Sequence, residues 1–266
     1  MQCLENNSFE RLQKWFYKST GILFNENKRS LVNGRLQKRI RQLQLTSLAQ
    51  YIDLLRDDSQ EQQIAINLLT TNETYFFRET KHYEYLESQI LPHLAQQKQV
   101  YIWSAASSSG EEAYSSALLL AKHWGLFKSW QVHGTDINTQ VLSIARRGVY
   151  PINSSKKIPV DLLKRFCVKG KGKDAGFFMP RPELKQHVEF QQTNLMDPKP
   201  IANKYDVIFL RNVLIYFNME EKVSILTNVL KYLKVGGWLF VGHSESVTGL
   251  DGKLQQIKPG VYRFKV

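Results

Sequence analysis

Only two cysteines, Cys3 and Cys167, occur in the 266 residues, and they lie far apart. That excludes a disulfide framework and fits a reducing compartment. No stretch approaches the roughly 18–20 apolar residues of a membrane span, so no membrane insertion is expected. The opening MQCLENNSFERLQKWFYKST mixes charged and apolar types, which excludes a signal peptide and leaves a soluble, cytoplasmic protein as the expectation. The histidines and cysteines show no metal-ligand spacing, so no metal is expected. Internal repeats and low-complexity tracts are absent. Acids are missing from one long stretch: between Glu26 and Asp53 there is none, while Lys28, Arg29, Arg35, Lys38, Arg39 and Arg41 all fall there.

The positive balance is general as well as local. The net charge is +12, which favours acidic partners and steered encounter. A second basic run includes Lys156, Lys157, Lys164, Arg165, Lys169, Lys171 and Lys173. Nucleic acid, acidic lipid and an acidic protein surface all suit such patches, and composition does not choose among them. The length accommodates one large domain with an appendage, or two domains.

Residues 8 to about 70 read as helices only. Phe9, Leu12, Trp15 and Phe16 recur at helical spacing; Leu31 or Val32, Leu36, Ile40 and Leu43 mark a second helix, and Leu48, Ile52 and Leu55 a third. Arg35, Lys38 and Arg39 share one face of the second helix, either a contact surface or a solvated one. From about residue 85 strands alternate with helices, which implies an α/β fold with a mainly parallel sheet. Strand candidates are 100–106, 130–137, 188–195, 205–213, the segment WLFVGHS and the final VYRFKV; helices span 138–147 and 219–233, the latter followed by Gly236-Gly237. Between Pro151 and about Arg181 the rhythm breaks, with Gly170, Gly172 and Gly176 among short apolar pairs, so a small inserted hairpin subdomain is expected. The divisions are then an N-terminal helical domain over 1–70, a linker helix region over 71–90, and a larger domain over 91–266 with an insert at about 151–187.

The segment that carries most chemistry runs from VYIWSAA through Ser107-Ser108-Ser109-Gly110 to Glu111-Glu112 and an apolar helix, then to a second strand ending at Asp136. A strand, tight turn, helix, strand and terminal acid grip a nucleoside through its ribose. A dinucleotide site would want G-x-G-x-x-G, and this loop has one glycine, so NAD is disfavoured. Two acids at the helix start sit badly beside a phosphate but suit a cationic ligand such as S-adenosylmethionine. The bland alternative for these acids is compensation of the helix dipole.

Six ordered segments then resemble one family. TTNETYFFRE (70–79), WSAASSSGEEAYS (103–115), GTDINTQVL (134–142), TNLMDP (193–198), YDVIFLRNVLIYF (205–217) and VGGWLFVGHSES (235–246) are similar to the successive motifs of the chemotaxis receptor glutamate methyltransferases, the CheR-type family. The likeness covers essentially the whole chain. It implies a Rossmann-like class I methyltransferase domain with an N-terminal all-helical domain and a small inserted antiparallel β-subdomain. It also implies a cofactor site of Asn72, Thr74, Arg78, Glu111, Asp136, Asn194, Leu195, Asn212 and Val213 for S-adenosyl-L-methionine, leaving open whether Glu111 or Glu112 touches it. The implied substrate is a glutamyl helix of a methyl-accepting chemotaxis receptor. Arg35, Lys38 and Arg39 would meet it, and the Gly170, Gly172 and Gly176 loop resembles the version that binds a receptor's C-terminal peptide. Departures are mild: Ser107 and Ser109 replace frequent Cys or Ala and Thr, Ala113 a common Pro, and Asn138 a frequent Asp.

The implied reaction needs little machinery. A glutamate side chain is already a carboxylate at neutral pH, so alignment matters more than a base. Arg78 is the expected catalytic cation and Tyr216 the expected hydroxyl near the methyl, with core packing the alternative for Tyr216; Arg211 could equally be structural, and His243 reads as structural or as a support to the site. One rival is a nucleic-acid methyltransferase, weakened because RNVLIYF lacks the proline of the (N/D/S)-P-P-(Y/F/W) motif; no nucleic-acid partner is therefore expected. Another is a catalytically silent receptor-binding adaptor. A monomer is expected.

Overall fold

The computed structural model describes residues 2–202, 204–247 and 252–265. Its first unit is helical, with α1 (Gln2–Thr20), α2 (Arg29–Gln42), α3 (Leu48–Leu54) and α4 (Ser59–Leu69). Local chemistry starts two of these. The Ser47 hydroxyl accepts from the Gln50 N–H at 3.3 Å, and Asp58 accepts from the Gln60 and Glu61 N–H groups at 2.9 Å. Phe9, Leu12, Phe16, Val32, Leu36, Tyr51, Ile52 and Leu55 bury together in their own core. Of the two expected anchors of α2, Val32 is the buried one, and Leu31 faces outward.

A segment without regular structure, 71–79, leads into α5 (Thr80–Tyr85), a π-helical turn (Leu86–Ile90) and α6 (Leu91–His93). The larger domain follows as β1 (Val100–Ser104), α7 (Glu111–Trp124), β2 (Trp130–Asp136), α8 (Thr139–Arg147), β6 (Val188–Gln192), β7 (Tyr205–Leu210), α11 (Met219–Leu230), β8 (Leu233–Val241), β9 (Leu254–Lys258) and β10 (Val261–Phe264). The sheet order is β6-β2-β1-β7-β8-β10-β9. The first five strands run parallel, and β10 is antiparallel to both neighbours. Val100 and Ile102 enter one apolar layer and Tyr101 and Trp103 the other, so β1 is covered on both faces. After β1 the chain builds to one side through β2, and later to the other through β7. That reversal opens a crevice beyond the carboxyl ends of these strands, where ligands bind in such sheets.

The inserted subdomain is a three-stranded antiparallel sheet in the order β3 (Tyr150–Pro151), β5 (Phe177–Pro180), β4 (Cys167–Lys169). A 3-10 turn (Ile152–Lys157) and α9 (Val160–Phe166) lie between β3 and β4, and α10 (Pro182–Lys185) returns the chain to β6.

Several expected boundaries move. The strand expected over 188–195 stops at Gln192, the one over 205–213 stops at Leu210, and the helix expected to Leu233 ends at Leu230. Leu233 instead opens β8, so Gly236-Gly237 lies inside a strand. The pairing of β7 with β8 shifts register there, and a Cβ on Gly237 would come within 2.8 Å of the Lys234 carbonyl oxygen. The glycines serve this bulge. β9 escaped the sequence reading because only Leu254 of its five residues is buried, leaving no alternation to detect.

Candidate active site

The crevice is an open cleft of about 1070 Å³ whose walls come from both domains. Its floor starts at the loop after β1. Gly110 adopts φ +96°, and a Cβ there would come within 2.9 Å of the Ala145 methyl and 3.0 Å of the Tyr150 hydroxyl, so only glycine fits. The loop is tied to the acid across from it: the Ser108 N–H donates to one Asp136 oxygen at 2.9 Å, and the Asn138 N–H donates to the other at 2.9 Å. Burial raises the Asp136 carboxyl, and these N–H groups work against that rise. The Ser108 hydroxyl also donates to the Asn72 carbonyl at 2.9 Å, fastening segment 71–79 over the loop.

The two acids at the start of α7 part company. Glu112 lines the cleft and accepts from the Ser104 hydroxyl at 2.7 Å. Its carboxyl is raised by burial, against the pull of Arg211, whose Nε lies 3.4 Å away, and of Ser104. Glu111 does not line the cleft. It accepts from its own loop, through the Ser109 hydroxyl at 2.7 Å, and burial raises it too. Of the two acids between which the sequence left the choice open, Glu112 is the one that lines the cleft. Adjacent helical positions lie about 100° apart on the helix face, so the two carboxyls take different directions.

Segment 71–79 forms the opposite wall. Asn72, Thr74 and Arg78 all line the cleft, with Arg78 Nη1 donating to the Glu73 carbonyl at 2.7 Å. Beyond β6, Asn194 and Leu195 join them; the Asn194 amide donates to the Ser19 carbonyl of α1 at 3.0 Å. Beyond β7 come Asn212 and Val213, then Tyr216 on a short 3-10 turn (Leu214–Tyr216). Asn212 has φ +54°, and its N–H donates to Glu245 at 2.7 Å. Burial raises the Tyr216 phenol.

The helical domain adds lining residues that the sequence did not place in the site, among them Thr20, Ile22, Phe24, Lys28, Leu69 and Thr70. Lys28 Nζ lies 5.8 Å from the centre of the Tyr216 ring, so a cation stands near that phenol. Arg211 also lines the cleft; the sequence left it equally open to a structural role.

The basic residues of α2 do not form a single outward face. Arg39 donates to buried Glu61 through Nε at 3.0 Å and Nη2 at 2.5 Å, and Tyr51 donates to the same carboxylate at 2.7 Å. Burial pushes the Glu61 carboxyl up, but Arg39 and Tyr51 outweigh it and bring it below its ordinary value. Arg35 donates to the Leu69 and Thr70 carbonyls at 2.8 and 3.0 Å. These two arginines brace α2 against α4 and the interdomain junction and are half-buried, whereas Lys38 and Arg41 are exposed.

The loop glycines lie apart from the cleft, in the β4–β5 hairpin. A Cβ on Gly170 would come within 2.0 Å of the Asp174 carbonyl oxygen, and Gly172 and Gly176 have φ of +58° and +91°. All three are required by the turn itself. The structure also gathers a cluster that linear spacing did not reveal: Glu79, His82 and His243 place ligand atoms within 4.8 Å of one another. The same carboxylate lies 3.5 Å from the Arg211 guanidinium, which already supplies a cation.

The residues fit a cationic nucleoside cofactor better than a phosphate-bearing one. Glu112 and Asp136 face the cleft beside apolar Ile137, Leu195 and Val213, and the Ser108 N–H is already committed to Asp136. The sheet order and this pair of acids define the class: a Rossmann-like, S-adenosylmethionine-dependent methyltransferase. Comparison with known proteins makes it particular. Residues 72–262 match the family described as "CheR methyltransferase, SAM binding domain", and residues 7–70 match "CheR methyltransferase, all-alpha domain". The chain belongs to the CheR methyltransferase family, the chemotaxis methyltransferases. It is 39% identical over 256 residues to chemotaxis protein methyltransferase 2 of Pseudomonas aeruginosa, covering 96% of this chain and 91% of that one. It is 38% identical over 252 residues to the chemotaxis protein methyltransferase of Salmonella typhimurium, covering 93% and 86%. A Borreliella burgdorferi relative of the same description is 33% identical over 276 residues, covering 98% and 95%. No helix among the described residues is long and apolar enough to cross a membrane.

Proposed function

We propose that this methyltransferase esterifies glutamate side chains in the cytoplasmic helices of chemoreceptors. The observation that carries the reading is the polarity of the cleft. Glu112 and Asp136 line it near the ends of the central strands, Glu112 countered by buried Arg211, whereas Arg78, Lys28 and the Tyr216 phenol group together, with Glu73 beside them. The first pair suits a cationic donor and the second an anionic acceptor.

When bound, S-adenosylmethionine supplies a sulfonium methyl, whose bond to sulfur breaks as a carboxylate oxygen bonds the carbon, leaving a neutral thioether. Asp136, fixed by two backbone N–H groups, is the proposed acceptor for the ribose hydroxyls. Glu112 is the proposed partner of the cofactor's positive charge. Arg78 has donors beyond the one spent on Glu73 and can hold one carboxylate oxygen in a charge-assisted hydrogen bond, leaving the other to react. Tyr216, kept protonated by burial, can donate rather than repel. No general base is needed, and alignment provides the acceleration.

Lys38 and Arg41, exposed on α2, are the proposed cationic contacts for an acidic receptor helix. The outer strand β4 has one unpaired edge, which suits addition of a receptor C-terminal peptide as a further strand. The test is transfer of labelled methyl to receptor cytoplasmic fragments, with base-labile product expected and loss of label when acceptor glutamates become alanine. Cofactor binding by calorimetry without any transfer would favour a silent adaptor instead.

A further inference from the structure

We propose that Arg211 is a positioning residue that registers the cofactor wall against the substrate cation. It stands at the end of β7 with its side chain only 1% exposed, stacked near the rings of Tyr83 and Phe209 at 5.4 and 5.7 Å. Its guanidinium reaches three groups on two different walls. Nε lies 3.4 Å from Glu112, on α7, and 3.5 Å from Glu79, at the end of segment 71–79; Nη2 donates to the backbone carbonyl of Arg78. One rigid fork therefore spans the acid facing the cofactor and the peptide unit that carries the substrate-side arginine.

The segment it holds does not hold itself. Phe77 and Glu79, on either side of Arg78, have φ of +55° and +57°, a region costly for residues with a Cβ. The surroundings must impose that conformation. The Phe77 N–H donates to the Ser115 hydroxyl at 2.9 Å, and Glu79 accepts from the Asn212 amide at 3.2 Å and the His243 N–H at 3.3 Å. Arg211 is the one among these fasteners that also faces Glu112. A lysine there would keep the charge but not the planar fork, so it would satisfy one wall at a time. An error of about 1 Å in a reacting alignment costs on the order of a hundredfold in rate.

The inference rests on the reading of Arg78 as the group that holds the acceptor carboxylate. The test compares Arg211→Lys, Arg78→Lys and the double variant by calorimetry with S-adenosylmethionine and by methyl transfer to the receptor fragment. Expected for Arg211→Lys is cofactor affinity within about threefold, with kcat at least tenfold lower. In the Arg78→Lys background the same change should add less than threefold, because both act through one group. Independent, multiplying losses in kcat, or an unchanged kcat in Arg211→Lys, overturn the proposal. An unchanged kcat in Arg78→Lys overturns the underlying reading and the coupling with it. If Arg211→Lys fails to fold, Glu79→Gln loosens the same segment from its other end, with the same non-additivity expected against Arg78→Lys. Arg211→Met gives a readout without substrate. The Glu112 carboxyl feels Arg211, Glu79 and Arg78 and accepts from the Ser104 hydroxyl, while the Tyr83 hydroxyl donates to its main-chain carbonyl at 3.5 Å. Removing the guanidinium should shift the loss of cofactor affinity on acidification to higher pH. A profile that stays superimposable on wild type counts against the coupling.

Discussion

Exchange of Glu112 for glutamine should separate the two adjacent acids of α7. The substitution keeps size and the hydrogen bond from Ser104, and removes one charge from the cleft wall. Two unit charges about 4 Å apart interact by about 4 kcal/mol at an effective dielectric of 20, an upper bound here. Hydrogen bonds to charged groups measure about 1.5–3 kcal/mol. The second range governs a partly open cleft, so affinity for S-adenosylmethionine should fall roughly 10- to 100-fold. Glu111→Gln, bonded to Ser109 and off the cleft, should change it less than about threefold. The product homocysteine form lacks the sulfonium charge. An equal loss for both ligands would place Glu112 against the ammonium, and a larger loss for the methylated form would place it against the sulfonium. The sign with pH follows from the raised carboxyl: only the ionised form holds a cation, so wild-type affinity should decline on acidification from above the ordinary carboxylate range. Calorimetry across pH settles it. A Glu112→Gln protein that binds as wild type, with Glu111→Gln the weak one, would refute the reasoning.

Asp136→Asn should weaken cofactor binding about tenfold or more, since the amide donates where the ribose needs an acceptor; unaltered calorimetric affinity would count against the ribose role. Glu79 is pushed up by burial, yet His82, Arg211, Asn212 and the His243 N–H outweigh that and take it to about 2. A depressed carboxyl adds stability above its unfolded value and loses it as pH falls towards 2, so Glu79→Gln should flatten acid unfolding in that window and cost on the order of 2 kcal/mol near neutrality. Arg39→Ala strands the Glu61 charge and should cost about 3 kcal/mol in denaturant melts. Charge reversal at exposed Lys38 and Arg41 should instead impair receptor methylation while leaving the melting temperature and cofactor affinity in place. Gly170→Val, with no room beside the Asp174 carbonyl, should abolish capture of a receptor C-terminal peptide but not of the cofactor.

The grip around Gly110 and Asp136 was legible because each of its parts is local: a strand, a glycine turn, a helix start and a terminal acid within one short unit. The inserted subdomain was legible as a break in rhythm bounded by glycines. What stayed hidden depends on docking. A basic helical face reads the same whether its arginines meet solvent or a buried acid 22 residues away, as Arg39 meets Glu61. Thr20, Ile22 and Phe24 carry no signal of their own, and they and Lys28 enter the site only because the helical domain folds over the carboxyl ends of the strands. The role of Arg211 stayed open since nothing in RNV reveals that a carbonyl and two carboxylates converge on it.

Asn138 has a consequence for anyone recombining these domains. Its side-chain oxygen accepts from the Gln140 and Val141 N–H groups at the start of α8, while its amide nitrogen donates to the Asn67 carbonyl at 3.0 Å and the Thr70 hydroxyl at 2.8 Å. An aspartate would cap the helix equally well but has no proton to give. This one amide thus works as a keyed joint two residues from Asp136. A chimera that grafts a foreign helical domain at residue 70 must carry over the matching acceptors. Without them, the graft should lose the bonds that hold the end of α4 against the start of α8.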